Sequence, residues 1–169
     1  MLTFKVVGNC AVMRKIFVVM LALLLLGCIA GCGQKSDDHK DEPDVHTLAD
    51  KLMSGLTFED SVSEVLPDVA LKYYGIDSAG IVDCDVHIST GATSEEVAVF
   101  EAQTAIDAQS ILDVMKTRQD TQIKTYFEYN SNEVSRLDDA VVEAYGRFVV
   151  YVVSNDSAKA EEIIKGYLE

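Results

Sequence analysis

The 169-residue chain has no tryptophan, two prolines and three histidines, and it carries 14 basic against 28 acidic residues. The shortage of positive charge excludes a nucleic-acid binder, since such proteins approach phosphates through basic patches. It equally excludes adhesion to anionic lipid head groups through a charged face. No glycine-rich loop able to cradle a phosphate occurs; Gly91-Ala92-Thr93-Ser94 reads as an ordinary hairpin turn. No serine sits in a glycine-flanked elbow, so a Ser–His–Asp triad has no support. Carboxylate pairs are so abundant that no one pair is informative. The sequence therefore points to no enzyme class and to no cofactor.

Acidic residues are also missing from the first 36 positions, where Arg14-Lys15 precedes an apolar run from Ile16 to about Ala30. That length suits the core of a secretory signal and falls short of the ~20 residues of a spanning helix. The run ends in Ile29-Ala30-Gly31-Cys32, which resembles the lipobox of bacterial lipoproteins. The resemblance implies cleavage before Cys32 and acylation of that cysteine, with palmitate among the acyl chains. Cys28 is the alternative acylation site, and Cys32 is preferred because the polar run starts directly after it. Two or three acyl chains anchor a protein where a single chain does not. Met13-Arg14-Lys15 makes an ordinary signal start by itself, so Met13 is an expected alternative to Met1 as initiator. The expected organisation is a signal peptide over 1–31, a lipidated tether over 32–44 and one globular domain over 45–169. The setting implied is the outer face of the bacterial plasma membrane.

Removing Lys5, Arg14 and Lys15 with the leader leaves 138 residues, enough for one packed core. Eleven basic and 28 acidic residues then give a formal charge of −17. Only Cys32 and Cys84 remain, so no internal disulfide and no cysteine-rich zinc site can form. Cys84 is read as a small core residue. The segment GQKSDDHKDEPD, residues 33–44, lacks any large apolar side chain and reads as a hydrated tether.

Beyond it, Thr47 with Asp50 suggests the N-cap of a short helix running through Met53 and stopped by Gly55. A second short helix is expected from Asp68, after Pro67, to Tyr74, with Gly75 as its stop. Ile81–Ser89 alternates, Val82, Cys84, Val86 and Ile88 against Asp83, Asp85, His87 and Ser89, the pattern of a half-buried strand. A turn at Thr90-Gly91-Ala92 leads to a partner strand over Glu96–Ala102. Thr104, with Asp107, caps a long helix to about Tyr129, broken by Asn130-Ser131-Asn132. A second hairpin follows, Ala140–Tyr145 and Phe148–Ser154 around Gly146. Asn155-Asp156 then caps a last helix carrying Ala160, Ile163, Ile164, Tyr167 and Leu168. The expected fold is α+β: a four-stranded, mainly antiparallel sheet from two hairpins, each followed by a helix, with short N-terminal helices and the long helices on one face.

Two groups of side chains attract chemical interest. Asp83, Asp85 and His87 project from one strand face about 7 Å apart, the alternation by which a strand can offer ligands to a divalent cation. Cys84 and His87 should point to opposite faces, which forbids a dyad. Tyr73-Tyr74 and Tyr126/Tyr129 are candidate linings of a groove for a peptide or sugar, against core or rim packing.

Leu71-Lys72-Tyr73-Tyr74-Gly75-Ile76-Asp77 and the stretch Ser89 to Phe100 (STGATSEEVAVF) carry a resemblance to a family of bacterial lipoproteins, domain-of-unknown-function family 4358. Tyr126 to Val142 and the hairpin at Gly146-Arg147 are similar too, so the resemblance spans roughly Val45 to Glu169. The familiar pattern often has proline where Ser135 stands. The resemblance implies an exported, lipid-anchored domain and brings no activity, substrate or catalytic residue. The expectation is therefore a non-enzymatic binding or accessory domain at the cell envelope. The alternative is a small-ligand or divalent-cation binder using the Asp83/Asp85/His87 face.

Overall fold

The computed structural model describes residues 42–169. The expected leader, the two start codons, Cys28, Cys32 and the tether up to Asp41 lie outside them. Residues 42–169 form one compact unit. In chain order its elements are α1 (Val45–Gly55), β1 (Val62–Glu64), α2 (Pro67–Tyr74), a 3-10 turn (Ser78–Gly80), β2 (Ile81–Ser89) and β3 (Glu96–Ala102). They continue with α3 (Ala105–Tyr129), α4 (Asn132–Asp138), β4 (Val141–Tyr145), β5 (Phe148–Val153) and α5 (Ser157–Leu168).

The fold is α+β, with one antiparallel sheet of five strands in the order β1-β2-β3-β5-β4. The extra strand β1 adds three residues to the edge, pairing Val62 with Ser89 and Glu64 with His87. Three residues are too few to display a period of two, which is why alternation does not reveal it.

The sheet is covered on both faces, not on one. Cys84, Val86, Ala98, Phe100, Ala102, Val149, Tyr151 and Val153 pack under α2, α3 and α4. Val97, Val99, Val150 and Val152 point the other way, under α1 and α5. The long helices α3 and α5 thus lie on opposite faces, which corrects the one-sided expectation. The opposite placement of α3 and α5 also means that the two hairpin-plus-helix units are not related by a two-fold axis. A two-fold axis relating antiparallel neighbours β3 and β5 must stand normal to the sheet, and would put both helices on one face. β3 is buried on both sides except at Glu101, more completely than a half-buried hairpin partner.

Local chemistry accounts for most boundaries. Thr104 caps α3 by accepting from the Asp107 backbone N–H at 3.2 Å, while its hydroxyl donates to the Asp107 carboxylate at 2.6 Å. Asp156 caps α5 through the Lys159 N–H at 2.9 Å. Gly75 ends α2 with φ 70° and Gly146 turns the second hairpin with φ 61°, both in the left-handed region that penalises a Cβ. The cap of α1 is Asp44, not Thr47, because the carboxylate of Asp44 reaches the Thr47 N–H at 2.7 Å. Val45, Leu48, Ala49 and Leu52 then fall on the buried face. Val82 departs from its strand pattern and is exposed, since a bulge between Ile81 and Asp83 shifts the register there.

Candidate functional site

Two constellations emerge, one on each face of the sheet. The first contains the strand residues Asp83, Asp85 and His87. Their face is the one covered by α1, so it is not an open shelf. Asp85 is buried, and His46 from α1 closes over it. His46 Nδ1 stands 2.6 Å from Asp85 Oδ2, and its Nε2 stands 3.2 Å from Asp83 Oδ2. His87 Nε2 lies 2.8 Å from Asp85 Oδ1, but the contact is off the hydrogen-bonding direction, so Oδ1 has no directed donor. The four side chains form a chain, Asp83–His46–Asp85–His87, in which carboxylates and imidazoles alternate. Its electrostatics raise the His46 pKa, chiefly through the Asp85 hydrogen bond, with the Asp83 charge adding to it against partial desolvation.

That arrangement bears directly on the cation reading. The strand does bring Asp83, Asp85 and His87 to one face, as the alternation requires. A metal cage needs donors converging on a point, however, and here the Asp85 carboxylate is faced by an imidazole at each oxygen. Among the described residues no group of three His, Cys, Asp or Glu side chains is arranged to hold a metal ion. His46 is the residue that the strand pattern does not reveal, because it reaches the two carboxylates from another element, α1. The available signal was Asp44, whose role as cap brings position 46 into the first turn of a helix.

Cys84 lies on the opposite face from His87, buried, with its thiol pushed up to about 11 by burial and the nearby aspartates. No thiolate nucleophile exists there near neutral pH.

The second constellation lies between α2 and α3. Tyr73, Tyr74, Asp113, Val114, Thr117 and Arg118 are among the residues lining a cavity of about 480 Å³. Behind it Glu96, 1% exposed, accepts from Arg118 Nε at 2.8 Å, from the Arg118 Nη2 and from the Tyr74 hydroxyl at 2.7 Å. The guanidinium sits 4.7 Å from the Tyr73 ring centre and 5.1 Å from that of Tyr74. Burial, reinforced by the Glu96 charge, drives the Tyr74 hydroxyl well above its ordinary pKa, so it stays a donor. Tyr126 and Tyr129 do something else. Their hydroxyls donate to Thr93 O at 2.6 Å and Gly91 O at 3.0 Å, clamping the β2–β3 turn. Of the two tyrosine pairs proposed as groove linings, only the first lines this one.

The neighbouring residues explain why the turn segment is so acidic. Glu95, fully buried, accepts from the backbone N–H of Glu59 and Asp60 and from the Thr93 hydroxyl. Ser94 donates through its N–H and hydroxyl, both at 2.8 Å, to Glu133, which also pairs with Arg136. Consecutive residues thus tie the sheet to the segment before β1, to α4, and to α2 and α3.

α2 itself is apolar on two sides. Ala70 and Leu71 are buried, whereas Leu66 just before it, Val69 and Tyr73 are 71%, 53% and 55% exposed. Their spacing of three and four residues makes one stripe beside the cavity. No helix among the described residues is long and apolar enough to cross a membrane.

A family model described as a domain of unknown function (DUF4358) matches residues 62–154. The match takes in the whole sheet with α2, α3 and α4, but neither α1 nor α5. No curated protein and no solved structure matches the chain.

Proposed function

The chain belongs to the DUF4358 family of domains of unknown function, and we propose that it is a non-enzymatic, lipid-anchored binding domain at the outer face of the bacterial plasma membrane. Acyl chains on Cys32 hold it there, and its ligand is an envelope protein recognised on α2 and the adjoining α2–α3 groove. The observation that carries this reading is the exposed stripe of Leu66, Val69 and Tyr73. Both faces of the sheet are already covered, so the exposed apolar side chains left to a partner lie mainly on helix surfaces. Large exposed aliphatic and aromatic side chains in one row are characteristic of interaction sites. Residues 42–169 carry 9 basic and 25 acidic side chains, so the complementary partner presents an apolar patch flanked by lysine or arginine.

Palmitate labelling of producing cells, followed by affinity recovery from solubilised membranes, tests both halves. Cys32→Ala should abolish the label and release the protein, whereas Cys28→Ala should leave it. Val69→Asp should keep label and anchoring but reduce recovery of the partner at least tenfold. Label surviving in Cys32→Ala would overturn the anchor, and undiminished recovery with Val69→Asp would overturn the docking face.

A further inference from the structure

The chain Asp83–His46–Asp85–His87 has a consequence for how the domain is held together at its N-terminal end. α1 covers the β2–β3 side of the sheet through Val45, Leu48, Ala49 and Leu52, and residue 46 faces outward beside that contact. A neutral imidazole carries one N–H. Nδ1, 2.6 Å from Asp85, is hydrogen-bonded to that carboxylate, whereas Nε2, 3.2 Å from Asp83, makes an ion-pair contact off the hydrogen-bonding direction. Only the imidazolium both donates to Asp85 and sets a positive charge against Asp83. Loss of either proton removes the positive charge from between the two carboxylates.

We propose that His46 is a proton-operated latch that fastens α1 to β2 when it bridges Asp83 and Asp85 as an imidazolium, and loosens α1 when it loses a proton. The groups that set its charge are confined to two places. On its own side is Asp44, the cap of α1, and on β2 are Asp83 and Asp85, with His87 behind Asp85. The other elements packed on α1 meet it mainly with apolar or neutral groups: Val97 and Val99 from β3, and Ala160, Ile164 and Tyr167 from α5, whose hydroxyl accepts the Asp44 N–H at 3.0 Å. The charged groups next to the chain on the neighbouring strands are Glu101 of β3, opposite Asp83 and paired with Arg147 at 2.7 Å, and Glu64 of β1, opposite His87.

The direction of the effect follows from linkage. The folded-state pKa of His46 is raised above its ordinary value of 6.5. The stabilisation is therefore fully present below that ordinary value and is lost as pH rises through the folded pKa. A shift of one unit corresponds to tenfold in an equilibrium. The half-exposed position of His46 screens the pair and reduces the effect. The latch modulates α1 and does not control the fold, because the apolar contacts of α1 remain at every pH.

Hydrogen exchange of the full chain in detergent, read as protection factors for α1 between pH 5.5 and 8.5, tests the proposal. Protection in α1 should fall roughly fivefold as pH rises, beyond the intrinsic change in exchange chemistry, while β5 stays constant. His46→Gln and Asp83→Asn should each flatten that dependence, and His87→Asn should preserve it. A flat profile in the unsubstituted protein would overturn the latch. So would a profile abolished by His87→Asn but kept in His46→Gln.

Discussion

Replacing Arg118 with alanine should destabilise the domain by about 3–5 kcal/mol, the cost of leaving a buried carboxylate without its partner. Glu96 is 1% exposed and has two donors, the guanidinium and the Tyr74 hydroxyl. Removing the first leaves a charge that one phenol cannot compensate. Arg118→Lys should recover only part of the loss, since an ammonium cannot reproduce the paired Nε and Nη2 contacts or the stacking on Tyr73. The joint change Glu96→Met with Arg118→Leu should come much closer to the native stability, because the buried charge disappears with its partner. Urea unfolding of the three variants separates these outcomes. A loss below about 1 kcal/mol for Arg118→Ala would mean that Glu96 finds another donor or takes up a proton.

Glu95→Ala should cost about 2–4 kcal/mol, by a different mechanism. Its carboxylate is the acceptor for two backbone N–H groups, Glu59 at 2.8 Å and Asp60 at 2.9 Å, and for the Thr93 hydroxyl at 2.9 Å. Each donor stranded out of reach of water costs about 1–3 kcal/mol. The loss should be local in character: hydrogen exchange should accelerate at Glu59, Asp60 and β1 before it accelerates in β5. Uniform acceleration across the sheet would contradict this reading and assign Glu95 to the global core.

These two glutamates mark the limit of what could be read from the residues alone. Neighbours in a strand normally face opposite ways, and nothing local to Glu95 or to Glu96, the first residue of β3, marks either as buried. Both prove to be buried, since their partners come from segments 22 to 36 positions away in the chain. Local patterns do well where the physics is local. The alternation in Ile81–Ser89, the Thr104 cap and the stops at Gly75 and Gly146 all depend on neighbours within a few residues, and their elements are found where expected. They fail where an element is short or its role depends on packing. β1 has three residues, α4 begins within the expected break at Asn130-Ser131-Asn132, and the second face of the sheet is apparent only once α1 and α5 are placed on it.

The same contrast applies to the two constellations. Asp83, Asp85 and His87 were legible as a set because one strand displays them. His46 was not, because it reaches them from another element. The α2 stripe is visible as apolar residues in the sequence, but its exposure is a tertiary fact: Ala70 and Leu71 take the core-facing side and leave Leu66, Val69 and Tyr73 outside. The matched stretch 62–154 lacks both helices that cover Val97, Val99, Val150 and Val152. A fragment cut to those limits would expose that apolar surface, so the folding unit is larger than the matched segment.

The proposed binding role is tested most directly by placing a photo-crosslinking side chain at Val69 and, as a control, at Glu162 on α5, then irradiating intact cells that produce the full-length protein. A discrete adduct with one envelope protein from position 69, absent from position 162 and lost when Tyr73→Asp is introduced, is the result expected of a docking face on α2. Equal adducts from both positions, or none from position 69 in correctly anchored protein, would contradict it.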